Sequence, residues 1–145
     1  MLLYTPNDDD VLSGYQVFLR KQIEFFEANM KEVDTPTPGR KKPVVFRQVG
    51  IRCRHCADLA VQRRKAATVY FPSKLRGLYQ AAQNIATTHL GSCPSMSESL
   101  RSAFVAFQKE GRRAMAGQGG KQYWADAARA LDIVEAHDGL RFLQK

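Results

Sequence analysis

Three cysteines and one histidine stand at metal-ligand spacing in the middle of this chain. Cys53-Arg54-His55-Cys56 opens the stretch and His89-Leu90-Gly91-Ser92-Cys93 closes it, which reads C-x2-C, thirty-two residues, then H-x3-C. All three cysteines of the 145-residue sequence fall inside this frame. Three thiolates and an imidazole are a ligand set that tetrahedral Zn2+ favours, at about 2.3 Å for sulfur and about 2.0 Å for nitrogen. Cys53, Cys56, His89 and Cys93 would close the coordination sphere, and closed sites are structural rather than catalytic. The competing reading is a set of buried free thiols beside a core histidine. A redox pair fits poorly, because a thioredoxin-like C-x2-C opens a helix inside a βαβ unit and this pair follows a β-branched run. His55 sits between two ligands and cannot readily turn into the same tetrahedron, so it is left outside the set.

The positive charge of the chain gathers around the same stretch. Residues 1–39 carry seven acids against three bases, residues 40–113 carry fifteen bases against three acids, and the remainder carries four of each, so the positive excess behind the net +8 lies in the central part. A concentrated basic field attracts polyanions, nucleic acid first among them; a merely solvated basic surface is the plainer reading. Lys74 and Arg76 would occupy the first turn of a helix starting at Ser73, where cations are unfavourable unless an anion docks on the free amides. Arg54 in the cysteine pair, Arg63, Arg64 and Lys65 in a following loop, and Arg112 and Arg113 near a glycine-rich loop would extend that surface.

Those residues need elements to hold them. The apolar steps between Asp9 and Lys31, through Val11, Tyr15, Phe18, Leu19, Ile23, Phe26 and Met30, predict one long amphipathic helix over 9–31. Thr35-Pro36-Thr37-Pro38-Gly39 ends it. Val44 to Arg52 predicts a strand that feeds the first cysteine pair, and Thr68 to Phe71 a return strand, so that 44–93 forms a knuckle hairpin followed by a helix. Leu75, Leu78, Tyr79, Ala82, Ile85, Ala86 and His89 make one helical stripe, which turns His89 toward the core, with Cys93 one turn beyond. In 95–145, Ser95-Met96-Ser97-Glu98 has the form of a capping box before a helix. Residues 111–120 read as a loop and Tyr123 to Leu131 as a last helix. His137-Asp138-Gly139 between apolar pairs predicts a closing hairpin. The expectation is one α+β domain over 1–145, mostly helical, with a small zinc-knuckle hairpin.

Across these elements the chain resembles a family of largely uncharacterised proteins from microalgae such as diatoms. The likeness rests on Gln48-Val-Gly-Ile-Arg-Cys-Arg-His-Cys-Ala57, Tyr70-Phe-Pro-Ser73, Leu78-Tyr-Gln-Ala-Ala-Gln-Asn84, His89 with Cys93, Lys121-Gln-Tyr-Trp124 and Asp138-Gly-Leu-Arg-Phe142. It extends upstream to Tyr15-Gln-Val-Phe-Leu-Arg-Lys-Gln-Ile23, and Asp58-Leu-Ala-Val-Gln62 departs from it. The resemblance implies one intact module and carries no activity. A weaker analogy links the C-x2-C knuckle and the later His and Cys to BED-finger modules, which bind DNA, and to inhibitor-of-apoptosis (BIR) modules, which bind protein tails.

No glycine-rich phosphate loop, HExxH, nucleophile elbow or paired acid is present, so no enzyme is expected and no small-molecule substrate. No apolar run approaches the ~20 residues of a membrane span, and Met1-Leu2-Leu3-Tyr4 lacks the basic start of a secretory signal. With an odd number of cysteines, reduced thiols and an intracellular setting are expected, the nucleus ahead of the cytoplasm. The expected function is a zinc-stabilised, non-enzymatic module that binds nucleic acid, DNA ahead of RNA. The alternative is a protein-interaction module that meets an acidic partner, with the N-terminal helix as one route.

Overall fold

A computed structural model describes residues 1–35, 42–58, 68–114 and 120–143, with side chains in the third stretch described to Lys109. The chain is α+β. Helices α1 (Asp8–Val11) and α2 (Gly14–Lys21) lead into strand β1 (Ile23–Glu27) and a short helix α3 (Met30–Asp34). Strand β2 (Val49–Cys53), a 3-10 turn at Arg54–Cys56 and strand β3 (Val69–Tyr70) follow. Helices α4 (Leu78–Thr88), α5 (Glu98–Ala114) and α6 (Lys121–Ala130) precede the hairpin of β4 (Ile133–Ala136) and β5 (Gly139–Phe142).

The sheet is antiparallel and β2 is its centre. One edge of β2 pairs with β1 over its whole length, from Ile23 opposite Cys53 to Glu27 opposite Val49. The other edge is shared: Ile51 and Arg52 face Tyr70 and Val69, and Val49 faces Leu140 of β5. Because side chains alternate along a strand, Val49, Ile51 and Cys53 share one face. All three are fully buried in a cluster that also takes Leu19, Leu78, Ile85, Phe104 and Trp124. Gly50 and Arg52 take the opposite face, where Phe26 meets Phe71 at 5.4 Å and the Arg52 guanidinium lies 4.4 Å from the Phe26 ring centre. Cys53 thus enters the core as the last residue of a hydrophobic alternation.

The single helix expected over 9–31 is not formed. Ser13 restarts the chain as an N-cap, its Oγ accepting the Gln16 amide at 3.2 Å, and Gln22 ends α2. Ile23-Glu24-Phe25-Phe26-Glu27 then runs as a strand. Its apolar residues satisfy either period, and the cross-strand pairs Arg52 to Glu24 (2.9 Å) and Arg47 to Glu27 (2.8 Å) favour the extended form. The expected strand from Val44 begins only at Val49, because Val45 to Gln48 form a tight turn closed by Gln48 N to Val45 O at 3.0 Å, with Arg47 at φ 68°.

Other boundaries shift less. The helix expected from Ser73 begins with a 3-10 turn at Leu75–Gly77 and becomes α-helical at Leu78. Helix α5 is capped by Ser97, whose Oγ accepts the Leu100 amide at 3.3 Å, rather than by Ser95. It continues to Ala114, so the first part of the expected 111–120 loop is helix, and 115–119 lie outside the described residues. The last helix and the Asp138-Gly139 hairpin form as read from the sequence. No helix among the described residues is long and apolar enough to cross a membrane.

One buried network was not foreseen. Asp8 and Arg20, both fully buried, pair at 2.6 Å (Oδ2 to Nε). Arg20 also donates to Leu3 O at 2.6 Å and lies 4.7 Å from the Trp124 ring centre. The Tyr123 hydroxyl donates to Asp8 Oδ1 at 2.6 Å, and Trp124 Nε1 donates to Gln16 Oε1 at 3.0 Å. The pair is fully hydrogen-bonded, which is what a buried charge requires, and it ties α1 and α2 to α6.

Candidate metal centre

Each of the four candidate ligands reaches the centre from a different local device. Cys53 ends β2, and Cys56 closes the 3-10 turn that follows. His89 is the C-cap of α4, its N–H still bonded to Ile85 O at 2.9 Å, so it keeps the direction of the buried stripe Leu78, Ala82, Ile85. A second 3-10 turn at Leu90–Ser92 then brings Cys93 back.

The ligand atoms converge. Cys56 Sγ is 3.5 Å from His89 Nε2 and 3.5 Å from Cys93 Sγ, and Cys53 Sγ is 3.8 Å from Cys93 Sγ. All four ligand atoms lie within 4.8 Å of one another, and all four residues are buried. Around one tetrahedral ion with metal–sulfur bonds of about 2.3 Å and metal–nitrogen bonds of about 2.0 Å, sulfurs sit about 3.8 Å apart and sulfur and nitrogen about 3.5 Å apart. The Cys53–Cys93 and Cys56–His89 separations match those edges, and the Cys56–Cys93 separation is about 0.3 Å shorter than a sulfur–sulfur edge. A disulfide needs sulfurs about 2.05 Å apart, and none of the three cysteines forms one. The group could hold a metal ion.

The surroundings act on the Cys53 and Cys56 thiols in opposite directions. The backbone amides of His55 and Cys56 hydrogen-bond the Cys53 sulfur, and the Ser95 hydroxyl hydrogen-bonds that of Cys56; each contact favours the charged form. Burial works the other way and is the larger effect, followed for Cys53 by the Cys93 and Cys56 charges, so both thiols are pushed up from the usual range. The Cys53 and Cys56 thiols are therefore poor anions by themselves, while several donors are aimed at them. A bound cation resolves that conflict.

His55 is turned away. Its Nε2 meets Gln22 Oε1 at 2.7 Å, and burial, then the neighbouring Arg54 charge, lowers its pKa. Together with Arg54 N bonded to Gln22 O at 3.0 Å, this pins the cysteine turn to the end of α2.

Of the residues proposed for an anion surface, three have described side chains, and of these Arg54 alone stands in a turn that carries a candidate ligand. Arg54 and Arg76 are exposed on separate 3-10 turns. Lys74 does not sit in the first turn of an α-helix, and its Nζ lies 4.0 Å from Glu135, whose other oxygen accepts the Leu75 amide at 2.8 Å. The amide and the cation expected to meet a phosphate meet a carboxylate of β4 instead. Arg63, Arg64 and Lys65 lie outside the described residues. Arg112 and Arg113 fall in the last turn of α5, with side chains outside them.

Two contributors to the centre, Ser95 and Arg101, went unread in the sequence. Arg101 donates from Nη2 to Cys93 O at 2.6 Å and to Met96 O at 3.2 Å. The only trace of it was a basic residue on the polar side of α5, one turn past the cap. No protein-family profile, curated protein or solved structure matches the chain.

Proposed function

We propose that Cys53, Cys56, His89 and Cys93 bind one Zn2+ as a closed structural site, and that the chain is a zinc-stabilised, non-enzymatic module. The observation that carries this reading is the set of ligand-atom separations, 3.5, 3.5 and 3.8 Å. Thiolates select soft ions, and four protein donors leave no position open for substrate or water. In that role the ion would hold the end of β2, the end of α4 and the turn before α5 at one point.

The proposed partner is nucleic acid, DNA ahead of RNA. Support comes from the excess of twelve positive charges over residues 40–113, within which Arg54 and Arg76 are exposed. The rival reading is a protein-interaction module that meets an acidic partner; the burial of Tyr15, Phe18 and Leu19 in α2, with Phe18 stacked on Phe107 of α5 at 5.1 Å, gives it no support from that helix.

Elemental analysis of purified protein should give about one zinc per chain. A salt series on a short duplex, its single strand and the matching RNA should give log-linear weakening, about −0.9 per phosphate contact on duplex DNA. Replacing Arg54 and Arg76 with Ala should lower the slope by one or two contacts. Absence of binding at low salt removes the nucleic-acid reading and leaves the metal site standing.

A further inference from the structure

We infer that Arg101 is the outer-sphere cation of the metal centre, a positioning residue that offsets the charge of the bound ion's ligands and holds the turn that delivers one of the donors, Cys93. The inference rests on the zinc reading above and deepens it.

A divalent ion with three thiolates and a neutral imidazole carries one net negative charge. All four donors are buried, and a buried charge is costly unless a counter-charge or hydrogen bonds meet it. The amides at Cys53 and the Ser95 hydroxyl at Cys56 supply hydrogen bonds. The cation comes from α5. Arg101 reaches back to Cys93 O at 2.6 Å, a charge-assisted bond to a ligand residue itself. Its Nε is buried without a partner among the described atoms. The guanidinium is therefore held in place by the carbonyls it grips.

The segment it grips is the one that matters for the centre. Cys93-Pro94-Ser95-Met96 is a turn closed by Met96 N to Cys93 O at 3.3 Å. Pro94 presets its second position, as turns of this kind prefer. Arg101 bonds the carbonyls at both ends of the turn, at 2.6 and 3.2 Å. Between those ends lies Ser95, which bonds the Cys56 sulfur. One side chain thus fixes the backbone of the third thiolate and of the hydroxyl that supports the second, and brings a positive charge onto the turn that carries them. Lys at 101 would keep the charge and one donor; Gln would keep donors and lose the charge.

The test is zinc affinity, measured by competition with a chelator of known strength on the full chain, for wild type, Arg101→Gln and Arg101→Lys. Cobalt(II) absorption of each variant reports whether the tetrahedral site survives. Arg101→Gln should weaken zinc binding about 10- to 100-fold with the cobalt bands retained, the range found for outer-sphere partners. Arg101→Lys should recover at least half of that loss on a logarithmic scale. Gln binding within about threefold of wild type, or Lys binding as weakly as Gln, overturns the inference. Should the Gln variant not fold, the Lys variant decides by the same measure: affinity near wild type supports the role and a 10-fold loss rejects it. A wild-type chain that binds no zinc overturns the site reading itself, a result distinct from any difference among variants.

Discussion

The Cys56 sulfur and the His89 Nε2, thirty-three positions apart in the chain, lie 3.5 Å from each other in the core. A tetrahedral ion held by both would span that separation, joining the turn after β2 to the end of α4. Loss of the ion would release both elements at once.

Chelation should therefore lower stability globally. Ligand present at about 1,000 times its Kd stabilises by about 4 kcal/mol, which for a chain of this size corresponds to about 10–15 °C in Tm. Thermal melts with and without EDTA, with zinc added back, measure it. Cys93→Ser should give the EDTA value in both conditions.

The pH response should differ in direction between the two forms. In the metal-free protein the Cys53 and Cys56 thiols titrate above the ordinary value of 9.0, chiefly because they are buried. A raised folded-state pKa contributes stability that is complete below about pH 9 and lost as pH rises beyond it. Urea midpoints of the metal-free protein should stay level across neutral pH and fall above 9. The loaded protein should hold at alkaline pH and lose its ion in acid, where protons compete for the ligands.

Arg20→Met should destabilise by about 3–5 kcal/mol, because Asp8 would remain buried without its counter-charge. The double variant Asp8→Asn, Arg20→Met should cost less than the sum of the two single changes. Urea denaturation of the four proteins gives the coupling directly.

Gly50→Ala should loosen the sheet at its centre. A Cβ there would lie 2.6 Å from a Phe71 ring carbon and 2.7 Å from Tyr70 O, so β3 would have to move off β2. Overpacking of this kind costs about 1–3 kcal/mol. Since Cys53 ends the same strand, zinc affinity should fall with it, and Gly50→Ala measured beside a surface Ala variant separates the two effects.

The candidate ligands were legible because two local periods point them inward. Alternation along β2 puts Cys53 on the face of Val49 and Ile51, and the 3.6-residue stripe of α4 carries His89 with Leu78 and Ile85. The β4–β5 hairpin was legible for a similar reason, since Asp138-Gly139 supplies the turn and Gly139 takes φ 129°. Residues 9–31 misled because their apolar spacing serves a helix or a strand, and only β2, lying alongside, selects the strand for Ile23 to Glu27.

Sequence alone determined which atoms could bind a metal and that the positive excess falls in the same stretch of chain, because ligand chemistry and formal charge belong to residue types. Tertiary structure decided everything that depends on distance. It set the separations that make four side chains one site, gave Lys74 and the Leu75 amide to Glu135 instead of an external anion, and swung Arg101 back onto the Cys93 turn. Each of those is a contact between elements far apart in the chain, and a sequence pattern carries no distance between them.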